Sequence, residues 1–216
     1  MILIETRAAA PFFKNGFVVA CSDTREAVLI DPGDEVPDLL AFADREALAI
    51  RCILLTHAHV DHITGVGWAK QALNVPVYLH RDDLFLYEGV VEFGAMFGLQ
   101  VAPQPPVDEF YTAGQKIGFG NYEARPHHTP GHCPGGVCLE IGAKGERGQD
   151  LFVGDTLFAG SIGRTDLPGG DHGTLIASIK NVLFPFGDDA RVYPGHGPST
   201  TIGQERLTNP FLQNRR

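Results

Sequence analysis

Basic residues are scarce in this 216-residue chain: 17 Lys and Arg stand against 26 Asp and Glu, a formal net charge of −9. Affinity for a phosphate backbone rests on cations that neutralise it, so nucleic acid is excluded as a main partner. Long apolar runs are missing too. No stretch approaches the roughly 18 apolar residues of a membrane-spanning helix, and Glu5 and Arg7 fall where a secretory signal would be apolar. No membrane partner is expected, and the expected compartment is the cytoplasm. Cysteine is sparse. Four residues are too few for a disulfide scaffold, and Cys21 and Cys52 lie in apolar strand-like runs where a reduced, buried thiol acts as a small hydrophobe. Low-complexity tracts, charge blocks, short-period repeats and Ser/Pro-rich linkers are absent, so residues 1–216 read as a single domain.

What is present is an ordinary globular composition, 44% apolar and 20% charged, with 26 Gly, 15 Pro and nine His. Strand-like runs occur at 2–7, 17–21 and 27–31, the last closed by the turn signal Pro32-Gly33. Helical spacing runs from Val36 to Ala49 with Asp34 as the expected N-cap. A buried strand at 52–55 leads into Thr56-His57-Ala58-His59-Val60-Asp61-His62, and 62–73 reads as the next helix. A strand at 77–79 follows, then helices over 82–98 interrupted near Gly89. The second half repeats the pattern, with strands at 115–117, 122–125, 137–141, 151–153 and 191–193, a helix over 174–183 and a short helix after Thr201. Such interspersion predicts an α/β fold of two sheets with helices outside. Each unusual cluster falls just past a predicted strand, which is where α/β folds build ligand sites.

The first cluster supplies three imidazoles and a carboxylate, the donors preferred by Zn²⁺, Fe²⁺ or Mn²⁺. Side chains alternate along an extended stretch, so His57 and His59 point the same way and can grip one ion, while Asp61 and His62 lie past the bend and can face a second. Three later residues could complete such a cage: His132 in His128-Thr129-Pro130-Gly131-His132, Asp155 after Leu151-Phe152-Val153-Gly154, and His196 in Tyr193-Pro194-Gly195-His196-Gly197. Gly and Pro beside each of them let the backbone turn tightly and aim it.

His57-x-His59-x-Asp61-His62 followed by His132, Asp155 and His196 resembles the ligand set of the metallo-β-lactamase superfamily. Within it, Thr129-Pro130-Gly131-His132 and Gly154-Asp155-Thr156-Leu157-Phe158 resemble the glyoxalase II branch. Gly160-Ser161-Ile162-Gly163-Arg164-Thr165-Asp166 and the ending Thr208-Asn209-Pro210-Phe211-Leu212 are similar to bacterial single-domain, hydroxyacylglutathione hydrolase-like members. The resemblance implies the metallo-β-lactamase fold, an αβ/βα four-layer sandwich of two mixed sheets with helices outside. It implies two divalent metal ions per chain, with Zn²⁺ first and Fe²⁺ or Mn²⁺ as alternatives. His57, His59 and His132 would hold one ion, and Asp61, His62 and His196 the other. Asp155 would bridge them and orient the attacking hydroxide, so that Asp61 and Asp155 act as the catalytic carboxylates. Asp31 would orient ligands from behind, because a ligating His usually donates its other N–H to a carboxylate or carbonyl.

The implied activity is hydrolysis of a small-molecule thioester, of the S-2-hydroxyacylglutathione kind, by a monomer or small homo-oligomer. Asp155 stands where β-lactamases of the superfamily carry a Cys ligand, which argues against antibiotic hydrolysis. No C-terminal helical extension of the kind that helps two-domain glyoxalase II enzymes hold glutathione is expected. Arg164 falls at a basic substrate-binding position, whereas Asp166 replaces an aromatic residue, and Gly163-Arg164-Thr165-Asp166 is similar to the glutathione persulfide dioxygenases. A mononuclear Fe²⁺ dioxygenase, with His57, His132 and Asp155 as ligands, is therefore the alternative. Several residues have plainer readings: Cys133 as a small buried side chain, Asp171 as a helix cap beside His172, Arg164 as the partner of Asp166, and Phe93-Gly94-Ala95-Met96-Phe97-Gly98 as core or entrance wall. His127 and His128 divide evenly between supporting the ligands and lying exposed.

Overall fold

Alternation along the central strands decides the architecture. The structure is a computed structural model that describes residues 1–213. Its first half runs β1 (Ile2–Ala9), β2 (Lys14–Cys21), β3 (Glu26–Ile30), α1 (Val36–Arg45), β4 (Ala49–Leu54), α2 (Val60–Ile63), α3 (Val66–Leu73), β5 (Val77–Leu79), α4 (Leu84–Glu88), α5 (Val90–Met96) and β6 (Glu109–Phe110). The second half runs β7 (Ile117–Phe119), β8 (Tyr122–His128), β9 (Val137–Ala143), β10 (Asp150–Gly154), the hairpin β11 (Leu157–Phe158) and β12 (Ser161–Ile162), α6 (His172–Ser178), β13 (Arg191–Pro194), β14 (Thr200–Thr201) and α7 (Ile202–Thr208). The six-stranded sheets have the orders β1-β2-β3-β4-β5-β6 and β14-β13-β10-β9-β8-β7. Both are mixed. In the first, β1 to β3 are antiparallel and β3 to β6 parallel. In the second, the β10–β13 pair is parallel.

Successive side chains of a strand face opposite ways, and here both faces are apolar. Val18 and Ala20 of β2, with Leu29 of β3 and Ile53 of β4, pack under α1 and α3 against Leu39, Phe42, Val66 and Ala69. Their neighbours Phe17, Val19, Val28, Ile30 and Leu54 face the other sheet and meet Phe119, Leu139, Ile141 and Phe152. Leu151 and Val153 of β10 turn outward to Leu175, Ile179 and Ile202. The layers are thus helix, sheet, sheet, helix, the α/β metallo-β-lactamase-type sandwich that the sequence implied. Strands buried on both faces read as nearly continuous apolar runs, which is why β2, β3 and β10 were legible without a polar face. Among the described residues no helix is long and apolar enough to cross a membrane, and all four cysteines are free and buried.

Several boundaries differ from expectation. The helix predicted to reach Ala49 ends at Arg45. The Leu48 amide bonds back to Ala43 and Ala47 takes a left-handed φ of +51°, releasing the chain into β4 at Ala49. Its N-cap position is Glu35 rather than Asp34, and no side chain caps it, because the Glu35 carboxylate turns inward to Lys14 Nζ (2.6 Å) and the Gly33 amide (2.9 Å). The helix expected over 62–73 is broken into α2 and α3. Gly65 lies so close to the Gly33 carbonyl that a Cβ there would sit 2.2 Å from its oxygen, and that contact fixes the break.

Candidate metal centre

Strand ends deliver every residue of the site. The parallel pair β3 and β4 ends with Asp31 beside Thr56 and His57, while β8, β10 and β13 run out into Thr129–His132, Asp155 and Gly195–His196. The sheets are stitched together here: the Val137 amide donates to Thr56 O (2.8 Å), and the Asn15 amide to Gly195 O (2.6 Å). Gly195 permits the closest approach, since a Cβ would lie 2.2 Å from Asp155 Oδ1 and 2.7 Å from His62 Cε1. Gly154 adopts φ +52° and abuts the Thr56 side chain.

Asp31, 1% exposed, takes a left-handed φ of +47° and turns its carboxylate into the site. It accepts from the Thr56 amide (2.7 Å), the Thr56 hydroxyl (2.6 Å) and His62 Nδ1 (2.9 Å). With its proton committed to Asp31, the Thr56 hydroxyl oxygen accepts from His57 Nδ1 (3.1 Å). His132 Nδ1 faces the Arg164 carbonyl (2.7 Å), which can only accept. In all three rings the Nδ1 proton is thus held by its partner, and Nε2 is the nitrogen turned toward the cluster. Sequence reasoning had assigned Asp31 this orienting part; it had not seen Thr56 as the relay to His57.

The free nitrogens converge in two groups. His57, His59 and His132 form one, with His59 Nδ1 2.7 Å from His132 Nε2; Asp61, His62 and His196 form the other, with His196 Nε2 3.1 Å from Asp61 Oδ2. Asp155 stands between them. Its oxygens lie 3.3 Å from His62 Nε2 and 3.6 Å from both His132 Nε2 and His196 Nε2. All seven residues named from the sequence therefore come together.

Burial holds the ring of His57 well below the usual imidazole range and takes His59 down to about 3, with neighbouring imidazoles adding to both shifts. Burial also works against charge on His62, but Asp61, Asp155 and Asp31 outweigh it and raise that ring to about 10. For Asp155 and Asp61 burial favours the neutral acid, and the surrounding imidazoles, His62 foremost, overcome it and keep both carboxyls ionised.

A divalent cation fits this donor set. Among the described residues, the buried polar side-chain atoms without a hydrogen-bond partner include Nε2 of His57, His59 and His62 and Oδ1 of Asp155. Buried polar atoms without a partner are costly, and their gathering on one cluster of imidazoles and carboxylates marks a site shaped for cations.

A cleft of about 200 Å³ opens onto the cluster, lined on the reactive side by His59, Asp61, His132, Asp155 and His196, with Arg164 also present. The Arg164 guanidinium forms a two-pronged pair with Asp166 (2.7 and 2.7 Å), so the plainer reading of that residue holds alongside its place in the cleft. Phe93, Met96 and Phe97 are wall residues, as the sequence suggested. His127 bonds to Glu140, and His128 donates to the Pro134 carbonyl and stacks on His80, so both turn away from the cluster. Asp171 caps α6 by accepting from the Thr174 amide, which leaves His172 as the first helical residue. Cys133 is fully buried, and burial pushes its thiol well above the usual range. Two supports escaped sequence reasoning. Buried Asp83 accepts from the Ala58 and Gly135 amides and ties the two His-bearing loops together. Lys14 braces the Asp31 backbone through its carbonyl. Both contacts span long stretches of chain and leave no local signal.

Residues 9–196 match the family model of the metallo-beta-lactamase superfamily. Among curated proteins the chain is similar to the hydroxyacylglutathione hydrolase GloC of Haemophilus influenzae, 36% identical over 210 residues that cover 94% of this chain and 95% of the relative. Among solved structures it resembles BLEG-1, described as a B3 metallo-beta-lactamase, with a TM-score of 0.88 and 38% identity over 98% of this chain and 100% of the other. It also resembles TTHA1623, solved in a di-iron-bound form, with a TM-score of 0.84 and 42% identity over 96% and 100%.

Proposed function

The chain belongs to the metallo-beta-lactamase superfamily, and from that premise we propose that it is a metal-dependent hydrolase of small thioesters, of the hydroxyacylglutathione kind. The observation that carries the reading is the convergence of two ligand triads on one carboxylate, Asp155, with four buried polar atoms of these residues lacking a hydrogen-bond partner. His57, His59 and His132 hold one ion in this proposal, Asp61, His62 and His196 the other, and Asp155 is shared. When bound, such ions lower the pKa of a water so that hydroxide is available at neutral pH, and they polarise the scissile carbonyl; zinc, iron and manganese all suit the donor set.

The chain's own residues supply the rest. Asp31 and Thr56 hold the Nδ1 protons of His57 and His62, so that each ring turns its Nε2 toward the reacting atoms. Asp61 and Asp155, both ionised, present oxygens that accept a hydrogen bond from the attacking water and aim it. No side-chain nucleophile is needed, and buried Cys133 with its raised pKa is unsuited to be one. Arg164 sits where it can pair with a substrate carboxylate, at the expense of its bonds to Asp166.

The similarity to a glyoxalase-type hydrolase supports the thioester, and the similarity to BLEG-1 requires a β-lactam in any test. The metal-loaded protein should be assayed against an S-2-hydroxyacylglutathione, a simple lactone, a β-lactam and, in an oxygen electrode, glutathione persulfide. The proposal expects thioester hydrolysis without oxygen uptake. Oxygen consumption with the persulfide and no thioester turnover would overturn it in favour of a mononuclear dioxygenase.

A further inference from the structure

The cleft has a wall that the hydrolytic machinery does not use. Phe12 from the turn after β1, Leu86 from α4, Phe93, Met96 and Phe97 from α5 and its end, and Pro168 from the loop before α6 all line it. Four separate segments thus contribute large apolar side chains to one opening. Met96 and Phe97 remain 73% and 50% exposed there, a gathering of wet apolar surface that scattered surface hydrophobics do not explain. Charge is short on the same surface. Among the described residues that line the cleft, Arg164 alone is a Lys or Arg, and Asp166 takes the Nε and Nη2 edge of its guanidinium.

Beyond Arg164, which can take one substrate carboxylate, this lining offers charged groups little to pair with. A hydrocarbon chain, by contrast, loses its water against six apolar side chains. We propose that the cleft is a subsite for an unbranched hydrocarbon arm of medium length on the substrate. The inference rests on the thioester reading above and narrows it: the preferred thioesters carry a fatty arm on either the acyl or the thiol side of the reacting carbonyl.

Two series of N-acylcysteamine thioesters separate those sides while leaving the thiol's acidity unchanged. In one, the S-acyl group grows from acetyl through butyryl and hexanoyl to octanoyl on N-acetylcysteamine; in the other, S-acetyl is kept and the N-acyl group grows by the same steps. In one of the series kcat/KM should rise by up to about fourfold per added methylene, the value for burying a CH₂. The double variant Met96→Ser, Phe97→Ser should then cut the hexanoyl-to-acetyl ratio of that series by about tenfold. Flat responses in both series, or an unchanged ratio in the variant, would overturn the inference while leaving the thioester reading intact. Absence of turnover throughout would sink the thioester reading, and binding then decides the subsite by itself. S-alkyl N-acetylcysteamine thioethers from S-ethyl to S-octyl should bind progressively more tightly in calorimetry, and equal affinities would overturn it.

Discussion

Replacing Asp31 by Asn tests whether ligand tautomers are set from behind the site. The amide oxygen can keep the bond from the Thr56 amide, but its NH₂ must then face the Thr56 hydroxyl and His62 Nδ1, both of which now donate to the carboxylate. Two bonds to a charged acceptor are lost. At about 1.5–3 kcal/mol for each such bond, fold stability should drop by about 3–6 kcal/mol, partly recovered if the protons rearrange. The rearrangement is the diagnostic part. Facing the Asn NH₂, His62 gives up its Nδ1 proton and keeps the one on Nε2, the atom it needs for a metal, and the Thr56 relay to His57 is released as well. Loss of such an outer partner typically costs about 10–100-fold in metal affinity. The assay is competition for Zn²⁺ against a chromogenic chelator, on variant protein shown by circular dichroism to be folded. A folded Asp31→Asn protein that binds zinc within about twofold of the unaltered chain would refute the tautomer argument.

Three further outcomes are expected. Asp155→Ala should reduce thioester hydrolysis to background, since the carboxylate shared by the two triads is gone; near-normal turnover would contradict the mechanism. Lys14→Met should cost about 3–5 kcal/mol in urea denaturation, because it leaves Glu35 charged and buried without its partner, and a loss below about 1 kcal/mol would mean that the pair contributes little. Metal loading at pH 8 should release about one proton from His62, which the three carboxylates keep protonated up to about 10 in the metal-free protein; titration calorimetry in two buffers of different ionisation enthalpy reads this directly. The same raised pKa stabilises the metal-free fold fully below about 6.5, and that contribution fades as pH rises through about 10.

The strands and the ligands were legible in the sequence for different physical reasons. Strands buried on both faces advertise themselves as apolar runs, and β2 to β4 and β10 lie within about three residues of where those runs placed them. The ligands were legible because few other roles call for His57, His59, Asp61 and His62 within six positions. Long-range contacts were not legible. Glu35 left the helix end to neutralise Lys14, 21 positions earlier, so Asp34 never became the cap. Asp83 clamps Gly135 across 52 positions. To the α5 run, read from the sequence as core or entrance wall, the cleft adds Phe12, Leu86 and Pro168, each of which looks like ordinary core or turn in its own segment. Thr56 stood in plain view between two strong signals, yet its part depends on Asp31, brought beside it only by the parallel pairing of β3 and β4.

Metal content per chain, by elemental analysis of protein purified without chelator or affinity-tag metal, tests the central claim most directly. Two triads sharing Asp155 predict close to two divalent ions per chain, falling to one or fewer in Asp155→Ala. A single iron per chain at saturation, with little zinc, would contradict the binuclear account.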